Sequence, residues 1–388
     1  MISDSLLMLL SNMLLACAAA GTVYLLAAPF AVRSFVRRKP AARGLQPAVT
    51  VLKPLCGDEP ELYQNLRSFC RQHYPAYQLV FGVQNPRDPA IAQVERLIRE
   101  FPAADIGLVV HSDWPADWPS GNRKVANLKA MLPAARHDIL VMADADIRVG
   151  PDYIATLVAA LSQPGVGLAT CLYRGRPATG LWARLAALHI DHAFLPQAIL
   201  GDALGIGDGC FGATIALRRA TLEAAGGFAA IADRLADDHA LGAAVRRLGQ
   251  RVVLVPYLVD TIVAEPGLGA LLRQEKRWAL TVRALAPTGF AGTLVTHPLL
   301  LCVLANLVSG FDASAVAMLT CTAICRIATA RLVDAQLGLP PAAPWLLPVR
   351  DALSFWVFVS CFFTRTVAWR GQRLRVGAGG YLMDGGSR

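Results

Sequence analysis

Apolar and polar positions divide the chain into a middle part flanked by two apolar ends. Residues 5–32 contain no charged side chain, a run long enough to cross a ~30 Å hydrocarbon core as one helix. In the middle, short apolar runs at 48–52, 78–83, 106–110, 139–143, 166–172, 213–217 and 252–255 read as strands. Between them, 61–71, 90–101, 124–132, 152–161, 181–200, 219–225 and 235–248 have helical spacing, with Ile91, Val94, Leu97 and Ile98 on one face of the second. Strands alternating with helices of this length predict βαβ units, a mostly parallel sheet and right-handed crossovers. Residues 268–285 form an amphipathic helix carrying Arg273, Lys276, Arg277 and Arg283 beside Leu271, Leu272, Trp278 and Leu280.

Beyond that helix the apolar pattern resumes. Residues 284–311 hold no Asp, Glu, Lys or Arg, and 313–325 is a second apolar segment. Together they predict a membrane hairpin turning near Gly310-Phe311-Asp312. A shorter apolar stretch, 352–364, lies between Arg350-Asp351 and Arg365 and is expected to span or to be re-entrant. The expected organisation is a membrane helix at 1–33, a basic linker at 34–47 and an α/β domain at 48–284. A C-terminal membrane region at 285–370 and a flexible Gly-rich tail at 371–388 complete it.

Composition supports membrane attachment. Of 388 residues 55% are apolar and 17% charged, more apolar than an ordinary soluble enzyme. The N-terminal run exceeds the apolar core of a signal peptide and follows Asp4 rather than a basic segment, so it reads as a retained helix. Arg33, Arg37, Arg38 and Lys39 come directly after it, which places the following chain in the cytoplasm by the positive-inside rule. A net charge of +9 suits a protein lying against an anionic leaflet. The basic residues are scattered and match no nucleic-acid-binding motif, so no nucleic-acid partner is expected. Nine cysteines without a Cys-x-x-Cys pair predict neither a disulfide framework nor a zinc site.

The chemistry is concentrated just after the run 139–143, where Asp144 and Asp146 follow with one alanine between them. Ligands of open α/β sheets bind beyond the carboxyl ends of the strands, and two carboxylates placed there can hold a hard cation that also bridges phosphates. Gly205 to Gly212 form a glycine-rich loop that enters a strand and contains no Gly-Lys-Ser/Thr, so it is not a P-loop. Its glycines are expected to let backbone approach a ligand or a neighbouring strand. Asp237 and Asp238 open a helix, where carboxylates favour the dipole. His189 and His192, three apart on a helix, can line an acceptor pocket. His239 follows the acidic pair, and Arg123 and Lys124 stand near a helix start after a Trp/Pro/Gly loop at 112–121.

These segments resemble the membrane-bound inverting glycosyltransferases of families 2 and 21, and most closely the ceramide glucosyltransferase branch. The matching segments are Val51-Leu52-Lys53-Pro54-Leu55, Asp144-Ala145-Asp146, Asp237-Asp238 and Gln274-Glu275-Lys276-Arg277-Trp278, the last a full Gln-x-x-Arg-Trp. Within the branch, Asn122 to Leu128 and Cys171 to Gly175 are similar to the bacterial hopanoid-biosynthesis-associated enzymes. The resemblance covers about residues 48–285. It implies a GT-A-like nucleotide-sugar domain, a UDP-sugar donor, a membrane lipid acceptor, a divalent cation (Mg²⁺ or Mn²⁺) and a place in the bacterial inner membrane. It implies N-acetylglucosamine as the sugar and a hopanoid polyol such as bacteriohopanetetrol as the acceptor; glucosylation of ceramide is the alternative, and a non-catalytic scaffold a further one.

Carried over by position, Asp144 and Asp146 would hold the metal and Asp238 would be the base, with Asp237 in reserve. Lys53, Asp144, Gln274, Arg277 and Trp278 would contact the donor. Where the family usually has an acid for the nucleotide, this chain has Asn85; an amide keeps an acceptor oxygen and adds a donor, and Asp88 stands three residues on. Lys124 and His192 are secondary candidates.

Overall fold

The computed structural model describes residues 4–42, 44–112, 122–364, 366–369, 372–376 and 382–384. The loop expected at 112–121 lies, after Ser112, outside them. The first apolar run forms α1 (Asp4–Arg37). It continues four residues beyond the expected end of the membrane helix, into what the sequence suggested as linker. The α/β part follows as β1 (Val49–Pro54), α2 (Leu62–Phe69), β2 (Tyr77–Val83), α3 (Ala90–Glu100), β3 (Asp105–Val110), α4 (Arg123–Met131) and β4 (Ile139–Met142). Next come β5 (Ile147–Arg148), α5 (Tyr153–Leu161), β6 (Val166–Pro177), α6 (Gly180–His189), α7 (Leu195–Ala203), β7 (Ile215–Arg218), α8 (Arg219–Ala224), α9 (Asp237–Arg247) and β8 (Arg251–Val263).

Eight strands form one sheet in the order β3-β2-β1-β4-β7-β6-β8-β5. The first four are mutually parallel. β7 runs antiparallel to both β4 and β6, and β5 antiparallel to β8, while β6 and β8 are parallel. The parallel half is thus as the sequence predicts, and the second half is mixed. Alternate strand residues feed two cores: Val51, Phe81 and Val141 pack with α2, α3 and α5, whereas Leu52, Val80 and Leu140 pack with α4, α8 and α9. With both faces covered, β4 needs the continuous apolar run it has, and β1 is apolar apart from Thr50 and Lys53, both buried and hydrogen-bonded.

Two elements differ from the sequence reading. β8 does not end at 255 but continues to Val263, because Pro256 is absorbed in an irregularity where Val255–Tyr257 face the single Cys171 between the Thr170–Leu254 and Leu172–Leu258 pairs. A proline at a bulge costs no ladder hydrogen bond. The long helix expected at 181–200 is α6 and α7 joined by a π-turn over Ile190–Phe194. The bulge helps to bury the Asp191 carboxylate, which accepts from the Gly175 amide at 2.7 Å.

The C-terminal part comprises α10 (Leu268–Leu285), α11 (Pro287–Gly292), α12 (Pro298–Ser309), α13 (Ala313–Leu337) and α14 (Leu346–Ser360). α1 and α13 are long and apolar enough to cross a membrane; the 287–296 and 298–309 segments would make a third span only as a pair bent by 69°. The expected hairpin therefore has a broken first arm and a second arm reaching Leu337. Its turn is where the sequence placed it, with Gly310 and Phe311 at positive φ and Asp312 capping α13. α1 packs on α12 and α13 through Ala18, Leu301 and Cys302, and Thr22 Oγ1 meets Thr322 Oγ1 at 3.0 Å. Gly21 lies so close to Val295 and Pro298 that no side chain fits there. α14 holds the last apolar stretch and, at 15 residues, is shorter than a span requires. The tail is not wholly irregular: β9 (Thr366–Trp369), β10 (Gln372–Val376) and β11 (Leu382–Asp384) form a small antiparallel sheet.

A buried ion pair within the C-terminal part also reaches the α/β part. Arg350 of α14 donates to both carboxylate oxygens of Glu275 on α10, at 2.7 Å each, and to the Leu185 carbonyl of α6 at 3.3 Å. Both side chains are 2% exposed. Glu275→Leu leaves a guanidinium buried without its counter-charge and is expected to lower stability in detergent by about 3–5 kcal/mol. The double variant Glu275→Leu/Arg350→Met should recover most of that loss. Denaturation of the three proteins checks this, and a single variant as stable as the parent would refute it.

Candidate active site

The strand order reverses direction between β1 and β4, and the crevice beyond their carboxyl ends is where α/β sheets bind ligands. Asp144 and Asp146 follow β4 directly into this crevice. The turn is held from below by Lys53, at the end of β1, whose ammonium donates to the Asp144 carbonyl at 2.6 Å and lies 3.9 Å over the Phe69 ring. Burial pulls the Lys53 amine down to about 7, against the opposing fields of Asp146, Asp144 and Glu59. Asp146 is held by the extension of β8: Thr261 Oγ1 donates to its carboxylate at 2.6 Å and the Ile262 amide to its carbonyl at 3.0 Å. Burial, then the charge of Asp144, pushes the Asp146 carboxyl up.

A second acidic pair arrives from the start of α9. Because β7 runs antiparallel to β4, the glycine-rich loop before it ends at the carboxyl end of β4, beside that helix start. The Gly212 amide donates to Asp238 Oδ2 at 2.7 Å. A β-carbon at Gly212 would stand 3.2 Å from both that oxygen and Lys124 Nζ, so the glycine gives the close backbone approach the loop composition suggested. Burial, then Asp237, raises the Asp238 carboxyl to about 6, with Lys124 and the Gly212 and His239 amides opposing.

Lys124 joins the two pairs. Its ammonium is 2.7 Å from Asp144 Oδ1 and 3.5 Å from Asp237 Oδ2. Burial acts to lower its pKa, but Asp144, Asp237 and Asp238 together outweigh burial and raise it, so the charge is retained. Asn122 places this lysine: its Oδ1 caps α4 by accepting from the Val125 amide at 3.2 Å, and its Nδ2 donates to the Arg234 carbonyl at 3.0 Å and Asp237 Oδ1 at 3.3 Å.

One cavity of about 1370 Å³ contains all four carboxylates and extends to the helical part. Lys124, Gln274, Arg277, Trp278, His189 and His192 line it, as do Tyr24 and Leu25 of α1, Phe290 of α11, Pro298 of α12 and Phe358 of α14. Trp278 stacks on His189, with ring centroids 6.4 Å apart and planes at 13°. Burial, then Arg350, pulls the His189 imidazole down to about 3 and keeps it neutral. His192 is buried with Nε2 2.9 Å from Asp334 Oδ1 of α13.

Three sequence candidates are placed elsewhere. Lys53 is fully buried beneath the acidic turn and does not line the cavity. Asn85 is turned into its own loop, where its Oδ1 accepts from the Arg87 amide at 2.9 Å; the cavity wall there is Gln84. Asp88 accepts from the Gly57 amide at 3.0 Å and the Ala90 amide at 2.9 Å, and does not line the cavity. Conversely, Thr261, Glu265 and Tyr24 line the cavity and were not singled out. Thr261 and Glu265 fall in or after the part of β8 that Pro256 concealed, and Tyr24 is one of several polar residues, with Ser11, Asn12 and Thr22, scattered through a largely apolar helix. The Tyr24 hydroxyl and Glu265 Oε2 are buried without a hydrogen-bond partner among the described residues.

Asp144 and Asp146 are hard oxygen donors suited to a divalent cation. Among the described residues no group of three or more His, Cys, Asp or Glu could hold a metal. Mg²⁺ commonly takes one or two carboxylates and fills its other positions with water and substrate phosphates.

The sequence model of Glycosyl transferase family 21 matches residues 13–382. Ceramide glucosyltransferase 1 of Caenorhabditis elegans is 24% identical over 267 residues, covering 68% of this chain and 55% of that protein. Ceramide glucosyltransferase 3 of the same organism is 20% identical over 352 residues, 87% of this chain and 74% of that protein. The ceramide glucosyltransferase of Komagataella phaffii is 31% identical over 115 residues, 30% of this chain and 23% of that protein. The chain thus spans about half the length of the first of these relatives and under a quarter of the last. In fold it is similar to the mannosyltransferase PcManGT from Pyrobaculum calidifontis, solved with GDP-Man and Mn²⁺: the TM-score is 0.56 at 20% identity, over 91% of this chain and 99% of that one. That likeness confirms the GT-A-like α/β fold. With the family match extending over almost all of its length, the chain belongs to glycosyl transferase family 21.

Proposed function

We propose that this glycosyltransferase moves a sugar from a UDP-sugar to a hydroxyl of a membrane lipid, with inversion. The observation that carries the reading is the single cavity, which joins the four carboxylates of the α/β part to α1, α11, α12 and α14. A soluble acceptor would need no such connection. By the resemblance of the segments at 122–128 and 171–175, the sugar is N-acetylglucosamine and the acceptor a hopanoid polyol. The second reading, glucose onto ceramide, is favoured by the names of the curated relatives. We place the catalytic part on the cytoplasmic face of a bacterial inner membrane, from the basic cluster that follows the first apolar run.

The roles follow from position. Asp238 accepts the proton of the acceptor hydroxyl as its oxygen attacks the anomeric carbon and the bond to UDP breaks. Its raised pKa makes it a better proton acceptor than an exposed aspartate while leaving it ionised at neutral pH. A divalent cation at Asp144 and Asp146, when bound, offsets charge developing on the diphosphate as a Lewis acid. Lys124, beside Asp144, and Arg277 on the facing helix present positive charge to the same group. Trp278, stacked on neutral His189, walls the sugar with an apolar face.

If Asp238 is the base, Asp238→Asn should reduce turnover by roughly 10²–10⁴-fold while changing UDP-sugar affinity by less than about twofold. In the parent protein kcat/KM should climb with pH through about 6, because below that value Asp238 is protonated and cannot accept a proton. Near-parental turnover in the variant, or a profile flat from pH 5 to 8, would exclude this assignment.

Tyr24 reports on the acceptor side. The residue lines the cavity on its α1 side, and its hydroxyl is buried without a hydrogen-bond partner among the described residues. Tyr24→Phe should raise KM for the lipid by about fivefold, the worth of one hydrogen bond, with KM for the nucleotide sugar unchanged. Equal effects on both constants would show that the residue acts only on the fold.

A further inference from the structure

A second cavity, of about 700 Å³, lies between α10 and the end of α14. Arg273, Lys276 and Arg277 line it with Trp356 and Phe363, and no carboxylate does so among the described residues. Arg273 and Lys276, converging with no carboxylate among the described lining residues, make a site for an anion. The two rings are 49% and 86% exposed, and Val359 beside them is 37% exposed. An anion bound there would lie against apolar surface open to its surroundings. Lys276 Nζ stands 4.1 Å over the Trp356 ring, which fixes the ammonium at the mouth of the groove.

The backbone around the groove has been prepared for negative charge. The carbonyls at the carboxyl end of α14 would repel an anion. Arg283, two turns further along α10, places positive charge there by donating to the carbonyl of the C-cap residue Cys361 and to that of Thr364 just beyond the helix. Its guanidinium also lies 5.7 Å from the Phe362 ring, holding the end of α14 against α10. Basic side chains over a belt of Trp and Phe are the pattern of a helix at a membrane surface.

We propose that this groove binds the phosphate headgroup of an anionic glycerophospholipid, with Lys276 and Arg273 on the phosphate and Trp356 and Phe363 against the glycerol and upper acyl chain. The inference rests on the reading that α1 and α13 lie in a membrane. The site is separate from the transfer cavity in that Lys276 and Trp356 line only the groove, and the two meet along α10, where Arg273 and Arg277 line both. Lipid charge therefore reaches the helix that carries Gln-x-x-Arg-Trp without occupying the acceptor's place.

The test is retention of lipid by the full-length protein in neutral detergent, read by native mass spectrometry after exposure to equimolar phosphatidylglycerol and phosphatidylcholine. The parent protein should retain phosphatidylglycerol with a preference of at least about tenfold, as expected for two cations acting on one phosphate. Lys276→Gln should cut that preference by roughly fivefold, Lys276→Arg should keep it, and Trp356→Leu should weaken retention of both lipids. No preference in the parent, or a preference unmoved by Lys276→Gln, overturns the proposal. Displacement of the lipid by millimolar glycerol 3-phosphate would show a site for soluble phosphates and overturn it as well. Sugar transfer assayed on the same preparations without anionic lipid tests the transfer reading separately, since Lys276 lies outside that cavity.

Discussion

The site depends on holding four carboxylates together at one sheet crevice. Asp144, Asp146, Asp237 and Asp238 line a common cavity, and left alone they would repel one another and the fold around them. Two lysines oppose this: Lys124 bridges the pairs from above, and Lys53 anchors the Asp144 backbone from beneath. Four acids against the Lys124 charge and a Lys53 amine pulled down to about 7 still leave negative charge. A site of that sign attracts a divalent cation, and the raised pKa of Asp238 is part of the same balance. The acidic cluster is costly for the fold and useful for chemistry that expels a diphosphate.

The mixed half of the sheet makes this cluster possible. A wholly parallel continuation would have left the loop before β7 at the opposite edge, away from α9. The antiparallel turn brings Gly212 to Asp238, and the extension of β8 brings Thr261 to Asp146. α10 then closes the cavity over the acids and carries the chain to the membrane helices, locked in place by Glu275 and Arg350. In the proposed reading, donor chemistry and lipid access are both consequences of one helix's position.

Much of this was legible in the sequence. The apolar run before Asp144 and the acidic pair at 237–238 located side chains that the cavity brings together, because strand ends and helix starts are local signals; Gln274, Arg277 and Trp278, inside α10, came only with the family resemblance. The turn at Gly310-Phe311-Asp312 was legible for the same reason. What stayed hidden depends on contacts distant in sequence. Pro256 reads as a strand end unless the bulge opposite Cys171 is known, so Thr261 and Glu265 were missed. Asn85 and Asp88 look like ligands in a loop, and only the packing shows that one satisfies its own turn and the other accepts from the Gly57 and Ala90 amides. Lys53 was noticed for its motif, yet its burial beneath the acids changes its role from contact to support.

The central claim is that the acidic site acts on a lipid admitted through the helical part. The most direct measurement offers purified protein UDP-GlcNAc and UDP-glucose, each with bacteriohopanetetrol and with ceramide, in Mg²⁺ or in EDTA, and identifies products by mass spectrometry. The account predicts an N-acetylhexosamine on the hopanoid that disappears in EDTA; a hexose on ceramide would select the second reading with the same machinery. No glycolipid from any pair, from protein that still binds UDP, would contradict it.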